Sequence, residues 1–172
     1  VWKPLLHQLA AGSYDTHAEE IEYLAHAHWH HFKFQLGALT GLDREKKVVH
    51  LAASHDAGGE EITPAQELPY DTLVLALGSL TNDFGTPGAA QHAIKLDSPQ
   101  AARRFNERLI NAFIRAQSLA RPAGASSGAA INVVIVGGGA TGVELAAELH
   151  TAAQVLSSYG FENVNPESDL KI

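Results

Sequence analysis

Residues 131–149 constrain the fold of this chain most, because an apolar run, a glycine-rich loop and a helix-forming segment follow one another there without a break. The run at 131–136 has strand length and is rich in β-branched residues, and the segment after the loop favours a helix. Glycines occupy the first, third and sixth positions of the loop, as Gly137, Gly139 and Gly142. This order is typical of a turn that binds a dinucleotide.

Each glycine of this turn has a separate physical role. Gly137 permits the tight turn, Gly139 lets the backbone approach a pyrophosphate, and Gly142 lets the helix pack closely against the strand. The phosphates would face the unpaired N–H groups at the positive end of the helix. We therefore predict nucleotide binding here rather than a plain connection between strand and helix. The acidic residue that would hold the ribose is expected about 20 residues further on, where residues 170–172 read as the start of the next strand.

Composition narrows the class of protein. The chain has 172 residues, 45% of them apolar, which is enough for a buried core. Its net charge of -7 argues against a nucleic-acid partner, because phosphate binding needs clustered Lys and Arg. The absence of cysteine excludes disulfides, a Cys-based zinc site and a redox-active Cys pair. No apolar run approaches the roughly 20 residues of a membrane span, so membrane contact would be peripheral or made outside this chain.

The first half of the chain predicts two helices and a small antiparallel sheet. A helix follows Pro4 and ends at Gly12, and an acidic segment near residue 20 is expected to carry Ile21, Leu24 and Ala25 toward the core. Alternating residues at 30–36 and 46–51, joined by a turn at 41–45, predict neighbouring strands of a meander whose third strand follows the loop at 57–61.

The second half predicts a covered parallel sheet and a long helix. The apolar run at 70–78 has strand length, ends at Gly78 and reads as a central strand. Asp97 or Ser98 caps a helix that starts at Pro99, runs through Gln117 and packs between two sheets. Residues 121–128 form a flexible connector.

Two groups of side chains invite a chemical interpretation. His26, His28, His30 and His31 could hold a divalent metal, but no carboxylate has matching spacing, so we predict no metal and favour solvated side chains. Glu144 lies in the helical turn nearest the predicted nucleotide, where it could contact a redox ring or relay a proton. Alternatively, Glu144 could serve only to stabilise the N-terminus of its helix. Its position in the sequence is compatible with both roles.

The chain resembles the type II NADH dehydrogenases, the single-subunit NADH:quinone oxidoreductases of the two-dinucleotide-binding flavoprotein superfamily. The resemblance covers nearly the whole chain and is specific in combination. The matching segments are WKPLL at 2–6, AAGS at 10–13, FKF at 32–34, YDTLVLALGS at 70–79, NDFG at 82–85 with PG at 87–88, and GGGATGVE at 137–144.

This resemblance implies an α/β fold with two parts. Residues 1–96 would be a partial, Rossmann-like FAD domain with an antiparallel meander, lacking its first βα unit. Residues 97–172 would comprise a docking helix, a linker and the start of a second Rossmann-like domain that binds NADH. Because the family's first glycine motif and its C-terminal membrane-binding helices are not found here, we expect an inactive piece of a longer protein that is soluble by itself. A truncated sheet exposes strand edges, so we also predict association between copies.

The resemblance also implies an activity and its residues. The parent protein would pass a hydride from NADH to FAD and electrons to a quinone, at the cytoplasmic face of the inner membrane. The flavin-side candidates are Lys3, Pro4, Ala76, Leu77 and Gly78. The NADH-side candidates are Gly137, Gly138, Gly139, Gly142 and the catalytic candidate Glu144. Alternatives are a ferredoxin or rubredoxin reductase and a non-catalytic NAD-sensing module.

Overall fold

The computed structural model describes residues 2–119 and 130–172. The chain divides into two compact units. We call Val1–Glu20 with Leu80–Ile172 the helical unit, and Ile21–Ser79 the meander unit. This division by contacts does not test the boundary at residues 96 and 97, which concerns two cofactor domains and stays a prediction. The connector predicted at 121–128 lies outside the described residues.

Three helices and a short parallel strand pair form the core of the helical unit. The elements of this unit are a 3₁₀ turn at Lys3–Leu5, α1 at Leu6–Ala11, α2 at Thr16–Glu19, α4 at Ala89–His92, α5 at Pro99–Ser118, β6 at Ile131–Asn132, α6 at Ala140–Ser158, α7 at Pro166–Asp169 and β7 at Leu170–Lys171. Helix α1 packs against both α5 and α6. Leu6, Phe113 and Leu149 are almost fully buried in this core.

Local sequence signals set the ends of the first and fifth helices. Gly12 ends α1 in the left-handed conformation with a φ of +87°, and the side-chain amide of Asn106 donates to the carbonyl of Ala10 at 3.0 Å. Ser98 caps α5 by accepting from the Ala101 amide at 3.2 Å. The predicted extent of α5 is confirmed, but the helix packs against α1 and β6 rather than between two sheets.

Strand β6 is shorter than its apolar run. Ile131 and Asn132 pair in parallel with Leu170 and Lys171, so the next strand predicted at 170–172 is confirmed. The ladder ends with the bond from the Val133 amide to the Lys171 carbonyl at 2.8 Å. The strand predicted over 131–136 is therefore wrong beyond residue 132, because no described strand continues the pairing there.

The meander unit contains one helix and two antiparallel sheets. Its elements are α3 at Tyr23–Trp29, β1 at Leu39–Asp43, β2 at Val48–Leu51, β3 at Ser54–His55, β4 at Glu61–Thr63 and β5 at Gln66–Pro69. The order β1-β2-β5 is antiparallel throughout, and β3 pairs with β4. An antiparallel meander is present as predicted, but its first strand is β1 and not residues 30–36, and β1 includes the first three residues of the turn predicted at 41–45.

Residues 30–36 turn back onto α3 instead of forming a strand. His31 adopts a φ of +58°, which breaks an extended strand, and the Phe32 amide donates to the Ala27 carbonyl at 3.2 Å. Phe34 stacks on Tyr23 with ring centroids 5.0 Å apart. Residues 30–36 therefore contact α3 through Phe32 and Phe34, and they pair with no strand of the described residues.

Two further predictions for this unit are wrong. The predicted core residues Ile21 and Leu24 are each 65% exposed, and Ala25 is exposed as well. The run at 70–78 forms no strand, because no strand of the described residues pairs with it. An apolar run needs a neighbouring ladder before it becomes a strand.

The described residues contain no helix with the length and apolar character needed to cross a bilayer.

Candidate cofactor site

The glycine turn before α6 is open to solvent. Gly137 has a φ of +114°, a conformation that favours glycine. A Cβ atom built on Gly137, Gly138 or Gly139 would meet no heavy atom within 4 Å. The backbone of these three residues therefore presents a bare surface that another molecule could approach closely.

Gly142 has the opposite environment. A Cβ atom there would overlap the carbonyl oxygen of Gly137 and lie 3.3 Å from Cγ2 of Ile135. The amides of Gly142 and Val143 donate to the Gly139 carbonyl at 3.0 and 3.2 Å, which closes the first turn of α6. The start of α6 therefore packs closely against Gly137 and Ile135, which lie beyond the end of β6, and the predicted packing of the helix against a strand stays a prediction.

The N-terminus of α6 has no side-chain cap. Its N-cap is Gly139, and the helix continues for 19 residues. Among the described residues, the amides of Ala140 and Thr141 have no acceptor outside the helix, and first-turn amides have none inside it. Free N–H groups and the helix dipole together favour an anion at this end. The turn therefore fits the pyrophosphate of a dinucleotide.

A cleft of about 460 Å³ lies beside this helix start. It is lined by Lys3, Pro4, Leu5, His7, Leu96, Ala140, Thr141 and Glu144. The fold thus brings the flavin-side candidates Lys3 and Pro4 next to the NADH-side candidate Glu144, although more than 130 residues separate them in sequence. All of these residues belong to the helical unit.

Asp97 anchors the Lys3 side of the cleft. Its Oδ1 lies 3.8 Å from Nζ of Lys3 and accepts from the Thr81 hydroxyl at 2.7 Å, and its carboxylate also accepts from the Thr81 amide. Burial acts to raise the pKa of Asp97, but the bonds from Thr81 and the charges of Lys3 and Lys95 outweigh it, so the pKa lies below its ordinary value. The sequence offered Asp97 only as a helix cap, and its partner Thr81 was missed.

His7 is the second residue that the sequence did not identify. Its side chain is 9% exposed, and Nδ1 lies 3.4 Å from Oε2 of Glu144, whose side chain is 50% exposed. This approach lacks hydrogen-bond geometry, so Nδ1 is buried without a hydrogen-bond partner in the described structure. The available signal was a polar residue between the buried Leu6 and Leu9 of α1.

The remaining candidates lie in the meander unit. Ala76, Leu77 and Gly78 are exposed, and Gly78 has a φ of +71° with open space where a Cβ would stand. His26 and His30 have ring centroids 4.2 Å apart. Within 2–119 and 130–172, no group of three or more His, Cys, Asp or Glu residues is placed to hold a metal ion.

A parallel strand pair, an open glycine turn and an uncapped helix in this order are typical of a Rossmann-like α/β protein. The family model for pyridine nucleotide-disulphide oxidoreductases matches residues 1–164. The chain therefore belongs to the pyridine nucleotide-disulphide oxidoreductase family.

Relatives of known name agree with this family. The chain is 40% identical to a type II NADH:quinone oxidoreductase of Haemophilus influenzae over 96% of its own length and 39% of the relative's. It is 34% identical to an external alternative NAD(P)H-ubiquinone oxidoreductase B4, mitochondrial, of Arabidopsis thaliana, over 69% of this chain and 20% of the relative. A probable mitochondrial NADH-ubiquinone oxidoreductase of Schizosaccharomyces pombe is 31% identical over 84% of this chain and 26% of the relative. The chain thus spans at most about two fifths of the length of these relatives.

Proposed function

We propose that this chain is part of an FAD-dependent oxidoreductase that passes a hydride from NADH to FAD and electrons on to a membrane quinone. The observation that carries the proposal is the open glycine turn at the uncapped start of α6, beside a cleft that holds Lys3, Pro4 and Glu144. The names of the relatives, each a quinone or ubiquinone oxidoreductase, support the choice of substrates.

The turn supplies the NADH side of the proposed site. Gly137, Gly138 and Gly139 leave room for the pyrophosphate, and the free amides of Ala140 and Thr141 point an electropositive helix end toward it. Gly142 contributes through packing, because its lack of a side chain lets the start of α6 lie close to the carbonyl of Gly137. Residues 97–172 would form this NADH domain.

Residues 1–96 would form the flavin side. Lys3 and Pro4 line the cleft, and Ala76, Leu77 and Gly78 lie at the end of an apolar segment with room for a ligand. The flavin and nicotinamide, when bound, supply the redox chemistry themselves. The chain's contribution would be to hold the two groups, with the Asp97 carboxylate keeping Lys3 at the cleft wall.

Glu144 is the residue that we propose to act on the reacting groups. It lines the cleft and is half exposed there, so its Oε2 atom could accept a proton or release one to a molecule in the cleft. A carboxylate in the first turn also stabilises the helix N-terminus, which does not conflict with this role.

A quinone that is dissolved in a membrane would be reduced at the membrane surface. We place the intact protein peripherally at the cytoplasmic face of the inner membrane. We also propose that copies associate, because apolar residues such as Val134 and Val136 are 85% and 94% exposed beside an unextended strand pair.

The test of the site is Gly139→Val in the intact protein. Gly139 has a φ of -74° and a ψ of 173°, which valine adopts easily, and open space surrounds its Cβ position. We expect the fold to be retained while the side chain blocks the pyrophosphate. The affinity for NADH, measured by calorimetry, should fall about tenfold or more, which corresponds to about 1.4 kcal/mol, with an unchanged melting temperature.

The matched control is Gly58→Val, in a loop of the meander unit, which should leave NADH affinity unchanged. Retained affinity in Gly139→Val would contradict the site. The reaction is tested separately: NADH should bleach the flavin absorbance of the intact protein, and a quinone should restore it. Electron transfer to a small iron protein alone would favour a ferredoxin or rubredoxin reductase, and binding of NADH without bleaching would favour a sensing module.

A further inference from the structure

The imidazole of His7 is buried, and its Nδ1 atom has no hydrogen-bond partner among the described residues. A polar atom removed from water costs free energy when it forms no hydrogen bond. Nδ1 of His7 is in this state, while the nearest carboxylate oxygen, Oε2 of Glu144, lies 3.4 Å away. An apolar side chain of similar size would fill the same space without this cost.

We propose that His7 is a positioning residue that donates a hydrogen bond from Nδ1 to Glu144, and thereby sets the orientation of that carboxylate at the cleft. The inference rests on the role of Glu144 given under the proposed function. A small rotation of the half-exposed Glu144 side chain closes the gap, because His7 is fixed by its burial and Glu144 is free to turn.

The packing of α1 against α6 keeps the two side chains opposite each other. Leu6 and Leu149 are buried to 1% exposure in the same core. Ser13, just beyond α1, donates its hydroxyl to Oε2 of Glu148 at 2.9 Å, one helical turn after Glu144. This second polar contact joins the end of α1 to α6 one turn beyond Glu144, and it supports the helix alignment that places His7 next to Glu144.

Other charges near His7 are few. Lys3, in the turn before α1, lines the same cleft and lies 3.8 Å from Asp97. On α6, Glu148 is engaged by Ser13. Helix α5, which packs against α1, carries charged side chains that are exposed to solvent: Arg103, Arg104, Glu107 and Arg108. Glu144 is the carboxylate that the described structure places 3.4 Å from Nδ1 of His7.

The first test is NMR detection of the His7 Nδ1–H proton in the intact protein without nucleotide. A proton held in a hydrogen bond exchanges with water more slowly than a free one, so Glu144→Ala, which removes the acceptor, should speed this exchange about threefold or more. The matched control is Glu148→Ala, the same change one turn later, which should leave the exchange rate unchanged. An equal change in both variants, or none in Glu144→Ala, would overturn the proposal.

The second test separates positioning from packing. His7→Asn places a side-chain N–H near the position of Nδ1, whereas His7→Leu keeps the volume and removes the donor. We expect kcat for NADH oxidation to fall about tenfold in His7→Leu, with KM for NADH changed less than about threefold. His7→Asn should recover at least half of that loss on a logarithmic scale.

Equal losses of kcat in both variants at matched melting temperature would overturn the positioning role. Wild-type protein that oxidises no NADH would instead refute the proposed function. In that case the exchange rate of the His7 Nδ1–H proton still decides whether His7 and Glu144 form a hydrogen bond.

Discussion

The helical unit and the meander unit bury their apolar residues to very different degrees. Leu6, Phe113 and Leu149 of the helical unit are at most 1% exposed. In the meander unit, all of which is described, Ala27 is the one buried residue. The helical unit is therefore stabilised by a packed core, and the meander unit mainly by the hydrogen bonds of its strand ladders.

This difference bears on where a cofactor site can be held rigidly. The cleft with Lys3, His7 and Glu144 is built on helices of the packed unit. Side chains on packed helices keep their geometry better than those on exposed segments. The meander unit instead exposes large apolar side chains, with Val74 at 81% and Leu77 at 76%. Apolar surface of this kind is typical of a region that another molecule covers.

The largest expected effect compares the same substitution in the two units. Leu149→Ala should lower the free energy of unfolding by about 2–5 kcal/mol, because it leaves a cavity in a closed core. Leu24→Ala, on α3 of the meander unit, should change it by less than about 0.5 kcal/mol, because Leu24 is exposed. Urea denaturation followed by far-ultraviolet circular dichroism measures both.

Both residues are helical leucines, so helix propensity contributes equally to the two results. A loss of stability in Leu24→Ala as large as that in Leu149→Ala would show that α3 is covered in solution, and the contrast between the units would fail.

The second comparison lies within the glycine turn. Gly142→Ala should destabilise the protein by about 1–3 kcal/mol, because the new methyl group meets the backbone carbonyl of Gly137. That loss is expected even though alanine favours a helix more than glycine does. Gly138→Ala, in open space and without a positive φ, should shift the urea midpoint very little. Equal midpoints for the two variants would mean that the start of α6 does not lie close to the carbonyl of Gly137.

The local part of the fold was predictable from the sequence. The glycine turn, the Gly12 end of α1 and the Ser98-Pro99 start of α5 depend on a few adjacent residues, and each has the expected geometry. The antiparallel meander was predictable as well, because β2 alternates and follows a turn. These features are predictable because the residues that cause them are adjacent in the sequence.

The errors concern features that depend on a distant partner. The runs at 70–78 and 133–136 have the composition of strands, but a strand forms only where another segment accepts its backbone hydrogen bonds. His7 and Thr81 were missed for the same reason, because their significance comes from Glu144 and Asp97. Only the fold brings these residues within reach of each other.

The smallest expected effect compares two carboxylates, one in each unit. Thr81 and Lys3 hold the pKa of Asp97 below its ordinary value against the effect of burial, and bonds from the Lys46 and Glu45 amides lower the pKa of Asp43. A lowered pKa in the folded state means that the carboxylate adds stability above about pH 4, and that this contribution is lost as the pH falls through the folded value.

Asp97→Asn should therefore lower the free energy of unfolding by about 1 kcal/mol near neutral pH, and the variant and wild-type curves should converge in acid. Asp43→Asn should show the same sign and pH dependence with a smaller amplitude, because the Asp43 side chain, at the end of β1, is 29% exposed against 18% for Asp97. Urea midpoints measured from acidic to neutral pH test this expectation. If the stability difference between wild type and Asp97→Asn stays the same in acid, the charge on Asp97 contributes nothing to stability, and its hydrogen bonds with Thr81 do not depend on that charge.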